Sequence, residues 1–133
     1  MRYAISYVST SAPNLSREDI SALFEKTIKV NNSENISGFL IYSNDNFFQF
    51  MEGEKEKIIR LYSRIENDPR HTNVIKFIEK PVAVTSSSND IGNFKAVNIK
   101  HNDFEIKVFQ NYLQVLDPKA RETAERVMET ILI

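Results

Sequence analysis

The chain has 133 residues, of which 17 are basic and 18 acidic, and it contains no cysteine. That length fits one domain with a real core. The formal charge of −1 gives no footing for a nucleic-acid surface or a polybasic membrane anchor, and the missing thiol excludes disulfides, thiolate nucleophiles, Cys-ligated zinc, iron–sulfur clusters and cysteine-linked chromophores.

No apolar run approaches the roughly 20 residues that cross a bilayer, and MRYAISYVST lacks the apolar stretch of a signal peptide. A soluble, cytoplasmic domain is the expectation. Tyr3 to Val8 alternates in the manner of a strand. After a Ser-Ala-Pro-Asn-Leu loop, Ser16 with Asp19 three residues on predicts a helix N-cap with an acidic first turn. Ile20, Leu23, Phe24, Thr27, Ile28 and Asn31 continue at helical spacing, and the turn formers from Asn31 to Asn35 close the helix. Gly38 to Tyr42 and Phe47 to Met51 predict two strands joined through Ser43-Asn44-Asp45-Asn46, a hairpin pattern. A second helix follows Gly53, with Ile58, Ile59, Leu61, Tyr62 and Ile65 on its apolar side and Asp68-Pro69 at its close. Thr72 to Lys80 predicts a strand, Thr85 to Asn93 a polar mobile loop, and Phe94 to Lys100 a final strand.

The order β-α-β-β-α-β-β predicts an α+β, ferredoxin-like sandwich over residues 1–100. The remainder, residues 101–133, reads as a helical C-terminal extension from Asp103 onward, interrupted at Asp117-Pro118. Phe104, Val108, Phe109, Tyr112 and Leu113, then Ala124, Val127, Met128 and Ile131, follow helical spacing there. Such a tail either covers the open sheet face or meets a partner.

Two histidines, His71 and His101, do not supply the clustered ligands of a zinc or iron site. Three glycines and no G-x-G-x-x-G, P-loop or G-x-S-x-G motif leave no phosphate-cradling loop or nucleophile elbow. Polar residues inside apolar stretches are more informative. Gln49 shares a strand face with Phe47 and Met51, and a buried amide is costly unless paired. An edge strand with Gln49 in water, or an amide satisfied by backbone, is the alternative. Tyr7 alternates with Ile5 and Tyr3, as a core tyrosine does. Leu23, Thr27 and Asn31 fall at i, i+4 and i+8, and Arg64, Asp68 and His71 at i, i+4 and i+7, where a solvated ion-pair face is the ordinary reading. Taken together, two helices on one side of the sheet would direct polar groups into an apolar cleft floored by Tyr7 and Gln49, which suits a flat heteroaromatic ligand.

These segments resemble the BLUF domains, blue-light sensors that use a flavin. The resemblance covers residues 1–100 and rests on Tyr7 within ISYVS, Pro13-Asn14-Leu15, Asn31 seven residues ahead of Gly38, FFQFMEGE from Phe47, and RIENDPRHTNV from Arg64. It implies FAD, with FMN as the alternative, bound without a covalent link. It makes Tyr7 and Gln49 the photoactive pair, with Tyr7 the electron donor and Gln49 the path of the proton that follows. The glutamine amide is left rotated or tautomerised, and the absorption shifts slightly to the red. Asn31 would bond the polar edge of the ring, with Asn32 as a second contact, and Thr27 would sit nearby. Leu23, Phe47 and Ile65 would pack around the ring, while Arg64, Asp68, Arg70 and His71 would lie toward the ribityl chain and phosphate.

The family usually carries a tryptophan and, two residues later, a methionine on the last strand. Here those places hold Phe94 and Ala96. Loss of the indole would remove a competing electron donor. No substrate is turned over in such a protein. With some 30 residues after the sheet, it is expected to signal as a short stand-alone protein through a protein partner or its own assembly. A ferredoxin-like interaction module without photochemistry is the alternative. An acylphosphatase is disfavoured because STSAPNLS lacks the arginine and glycines of its phosphate loop, and a light-insensitive flavin redox enzyme would need an open face over the ring.

Overall fold

The elements, in a computed structural model that describes residues 1–82, 94–98 and 106–132, are β1 (Arg2–Ser11), α1 (Arg17–Ser33), β2 (Ser37–Ser43), β3 (Asn46–Glu54), α2 (Lys55–Glu66), β4 (His71–Pro81), β5 (Lys95–Asn98), α3 (Ile106–Tyr112), a 3-10 turn at Leu113–Val115, and α4 (Pro118–Ile131). Local chemistry accounts for most of the boundaries. Ser16 and Asp19 form a reciprocal capping box at the start of α1, at 3.0 and 2.9 Å. Asn44 and Asp45 both take positive φ, 51° and 64°, the backbone of the tight turn that lets β2 and β3 twist together. Asp117 caps α4 through the Ala120 N–H at 3.3 Å, with Pro118 in the first turn, where its missing N–H is harmless.

The strands form one sheet in the order β4-β1-β3-β2-β5. All pairings are antiparallel except that of β2 with β5. This is the predicted α+β sandwich, with β5 added at an edge. Alternation along β3 sends Phe47, Gln49 and Met51 toward α1 and α2, and Phe48 and Phe50 to the opposite face. There Phe109, Tyr112, Leu113, Ala124 and Met128 cover Phe39, Ile41, Phe48 and Phe50. The tail thus packs on the open sheet face. Each large side chain so buried stabilises the fold by roughly 1.5–3 kcal/mol. Glu52, also on that face and 1% exposed, is held by Arg2 at 2.8 Å.

Three details differ from the sequence reading. Ile59 is 42% exposed, although Ile58 and Tyr62, expected on the same apolar side, are buried. β4 starts at His71, one residue early, and takes a register shift opposite Val8–Thr10 beside Asn73, whose φ is 50°. β5 is described from Lys95 to Asn98, while the Thr85–Asn93 loop, Ile99, Lys100 and the first residues of the tail at 103–105 lie outside the described residues.

Gly38 sits at φ +139°, and a Cβ there would collide with the carbonyl oxygen of Phe50. Gly38→Ala is expected to destabilise the protein by about 3 kcal/mol or more. At Gly53 the nearest atoms are 3.5 Å away, so Gly53→Ala should shift stability by less than about 1 kcal/mol. Urea unfolding midpoints of the two variants check the contrast, and equal midpoints would contradict it.

Candidate functional site

One row of residues crosses the sheet. Tyr7 on β1 stands opposite Gln49 on β3, Gln49 opposite Leu40 on β2, and Leu40 opposite Ala96 on β5. Because β3 is the central strand, Gln49 is 2% exposed and Tyr7 fully buried, which rules out the edge-strand alternative. The Tyr7 phenol donates a short hydrogen bond to Gln49 Oε1. Burial, with Tyr62 and Asp68 adding to it, pushes the Tyr7 phenol well above its ordinary range. It therefore stays protonated, and its hydroxyl donates to the glutamine oxygen, which is turned toward it. The amide nitrogen is left facing the other way.

That nitrogen reaches the wall of a cleft between α1 and α2, with an empty volume of about 680 Å³ including its open mouth. Helix α1 contributes Leu23, Lys26, Thr27, Val30 and Asn31; α2 contributes Leu61, Arg64 and Ile65. Leu40 and Gln49 come from the sheet, and Asp68, Arg70 and His71 from the α2–β4 turn and the start of β4. Among the described residues three buried side-chain polar atoms have no hydrogen-bond partner, and two of them, Asn31 Nδ2 and Gln49 Nε2, belong to this cleft. Orphaned buried donors are costly, and a ligand with acceptor atoms on its edge would satisfy both.

The charged rim is ordered. Asp68 accepts from the Arg70 backbone N–H at 2.9 Å and from its guanidinium at 3.0 and 2.6 Å, and that hydrogen bonding holds the Asp68 carboxyl below its ordinary range. Arg64, on an exposed face of the rim, lies 3.7 Å from the Glu34 carboxylate. His71 Nδ1 lies 2.8 Å from Ser9 Oγ, and burial lowers the imidazole pKa. A flat aromatic ring with polar edges and an anionic tail fits this set. Leu23, Val30, Leu40 and Ile65 give the cleft apolar walls, Asn31 and Gln49 bring amide donors to it, and the exposed Lys26 and Arg64 are among its lining.

Nine of the twelve residues expected at the site line the cleft: Leu23, Thr27, Asn31, Gln49, Arg64, Ile65, Asp68, Arg70 and His71. Tyr7 lies behind Gln49, and Phe47 is fully buried with its ring 4.6 Å from that of His71. Asn32 points elsewhere: its Oδ1 accepts the Phe94 N–H at 2.7 Å. Lys26, Val30, Leu40 and Leu61 line the cleft without having been expected there. The first two follow the helical stripe set by Leu23, Thr27 and Asn31, Leu40 was within reach of hairpin register, and Leu61 shares the apolar side of α2 with Ile65.

The lowered His71 pKa has a stability consequence. Between the folded value and the unfolded value near 6.5 the unfolded chain binds the extra proton, so stability is full above about pH 6.5 and falls as the pH drops. Denaturant midpoints at pH 7.5 and 5.5 should show this loss in the wild type and a smaller one in His71→Gln. Equal losses would contradict it.

A family model described as BLUF, sensors of blue light using FAD, matches residues 3–89. Photoactivated adenylate cyclase subunit beta of Euglena gracilis is 39% identical over 70 residues, which is 53% of this chain and 8% of that protein. A solved bacterial light-regulated adenylyl cyclase superposes with a TM-score of 0.69 at 30% identity, over 98% of this chain and 36% of the other. The structure of Klebsiella pneumoniae BlrP1 with FMN and cyclic diGMP gives 0.71 at 23% identity, over 98% and 34%, a likeness of fold. The chain therefore spans about a third of these solved chains and a far smaller part of the Euglena relative. The chain belongs to the BLUF family, the sensors of blue light that use FAD.

Proposed function

We propose that this chain senses blue light through a flavin held without a covalent bond in the cleft between α1 and α2, with Tyr7 and Gln49 as the photoactive pair. The observation that carries the reading is the polarised pair itself. The Tyr7 hydroxyl engages Gln49 Oε1 and leaves Gln49 Nε2 buried and unpaired on the cleft wall. The flavin supplies the absorption of blue light and an electron-accepting ring with acceptor atoms along one edge. FAD is the family's cofactor, and FMN shares the ring, the ribityl chain and the first phosphate.

Tyr7 would give an electron to the excited ring, and its phenolic proton would follow along the hydrogen bond to Gln49. Recombination would return both to Tyr7 and leave the amide rotated or tautomerised. The glutamine suits this because its amide has an acceptor end and a donor end. Asparagine would be too short, and an ionised glutamate could not donate. In the rotated or tautomerised state the donor and acceptor ends of the Gln49 amide would be exchanged, so Gln49 would offer a different group to the cleft. Asn31 Nδ2 adds a second donor at that edge, with Thr27 nearby. Leu23, Ile65 and Phe47 support the ring, and Arg64, Asp68, Arg70 and His71 lie toward the ribityl chain and phosphate. Asn32 stands outside the cleft lining, with its amide oxygen engaged by the Phe94 N–H.

No bond of a substrate is made or broken by these residues, and the output is a shift between conformations. Residues 1–100 are the sensing unit. Residues 101–133 are the cap and interaction segment, through which a protein partner or a second copy would read the state. Among the described residues no helix is long and apolar enough to cross a membrane, in keeping with action in the cytoplasm.

Tyr7→Phe and Gln49→Leu should both stay yellow, and both should lose the light-induced red shift by more than about ten-fold in amplitude. Difference absorption spectra on the purified variants check this. A Tyr7→Phe protein with a full shift would overturn the assignment of the pair.

A further inference from the structure

Asn31 and Asn32 end α1, and in a helix successive side chains diverge by about 100°. Asn31 Nδ2 accordingly faces the cleft, while Asn32 Oδ1 accepts the Phe94 N–H at 2.7 Å. Phe94 immediately precedes β5 and is 2% exposed, in the same core as Ile36 and Leu40. Adjacent residues of one helical turn thus hold the cleft edge and the start of β5.

The direct route from Gln49 to β5 is weak. Ala96 lies in the same row, but Leu40 on β2 stands between them. Two strand spacings of roughly 4.8 Å separate β3 from β5, farther than a methyl group extends. Besides its ladder to β2, the start of β5 is held by the Asn32 amide.

We propose that Asn32 is a positioning residue that couples the cleft to β5, so that a change in the hydrogen bonding of Asn31 is felt at Phe94 without passing through the side chain of Ala96. The coupling rests on the flavin reading above. Its elements are local: the last turn of α1 carries both amides, and a rotation of that turn that improves the Asn31 contact moves the Asn32 oxygen relative to the Phe94 N–H. A hydrogen bond of this kind weakens steeply with angle, so a small rotation is enough to release or tighten it.

The test uses the full chain with its flavin and follows backbone amide exchange by NMR, in the dark and under blue light, beside the absorption shift. In Asn32→Ala the Phe94 amide should exchange roughly ten-fold faster in the dark, as expected for loss of one partly buried hydrogen bond. The red shift should keep its amplitude, while the light-minus-dark exchange difference across Phe94–Asn98 disappears. Asn32→Asp keeps an Oδ acceptor and should restore both the protection and the light response of β5. A light response of β5 that persists in Asn32→Ala would overturn the coupling, as would a wild type that shifts its absorption with no change at β5. A wild type without any red shift would overturn the flavin photosensor reading and the coupling with it.

Discussion

Everything at the site depends on the hydrogen bond from the Tyr7 phenol to the Gln49 amide oxygen in the middle of the sheet. The two residues face each other across the β1–β3 ladder, both buried. In that setting the bond is electrostatically stronger than it would be in water, and an unpaired partner is correspondingly costly. Burial keeps the Tyr7 phenol protonated, so it has the proton that it donates to Gln49 Oε1. The glutamine oxygen is turned to Tyr7, and the amide nitrogen has no partner among the described residues.

The rest of the fold keeps that arrangement dry and rigid. The sheet is covered on one face by α1 and α2 and on the other by α3, the 3-10 turn and α4. The covering of both faces explains why β2 and β3 read as nearly continuous apolar runs, FLIY and FFQFM, where a half-exposed sheet would alternate. The tail is therefore part of the core that holds β3 in place, and any signal passing through it must alter packing around Phe39, Phe48 and Phe109.

Much of the fold was legible in the sequence because its punctuation is chemical. Ser16 and Asp19 cap a helix, Asn44-Asp45 turns a hairpin, and Asp117-Pro118 starts the last helix. The order of strands and helices followed from these marks. Ile59 was misplaced because helical spacing alone leaves α2 free to rotate by one residue, and packing against the sheet chose Ile58 and Tyr62. At the site, Gln49 and Asn31 were legible as amides among apolar neighbours. Lys26 and Val30 lie on the stripe of Leu23, Thr27 and Asn31, but a cation and an aliphatic residue there read as ordinary helix surface and core. The direction of Asn32 was out of reach for a different reason: its partner, the Phe94 N–H, is 62 residues away in sequence, and a backbone donor leaves no mark in composition.

The central claim is that the Tyr7–Gln49 pair switches the hydrogen bonding of a bound flavin when blue light is absorbed. The most direct measurement is the absorption spectrum of the purified protein in the dark, under blue light, and after return to darkness. The account predicts flavin bands that move slightly to the red and recover. A colourless protein that stays apo after flavin is added, or flavin bands that do not move, would contradict it.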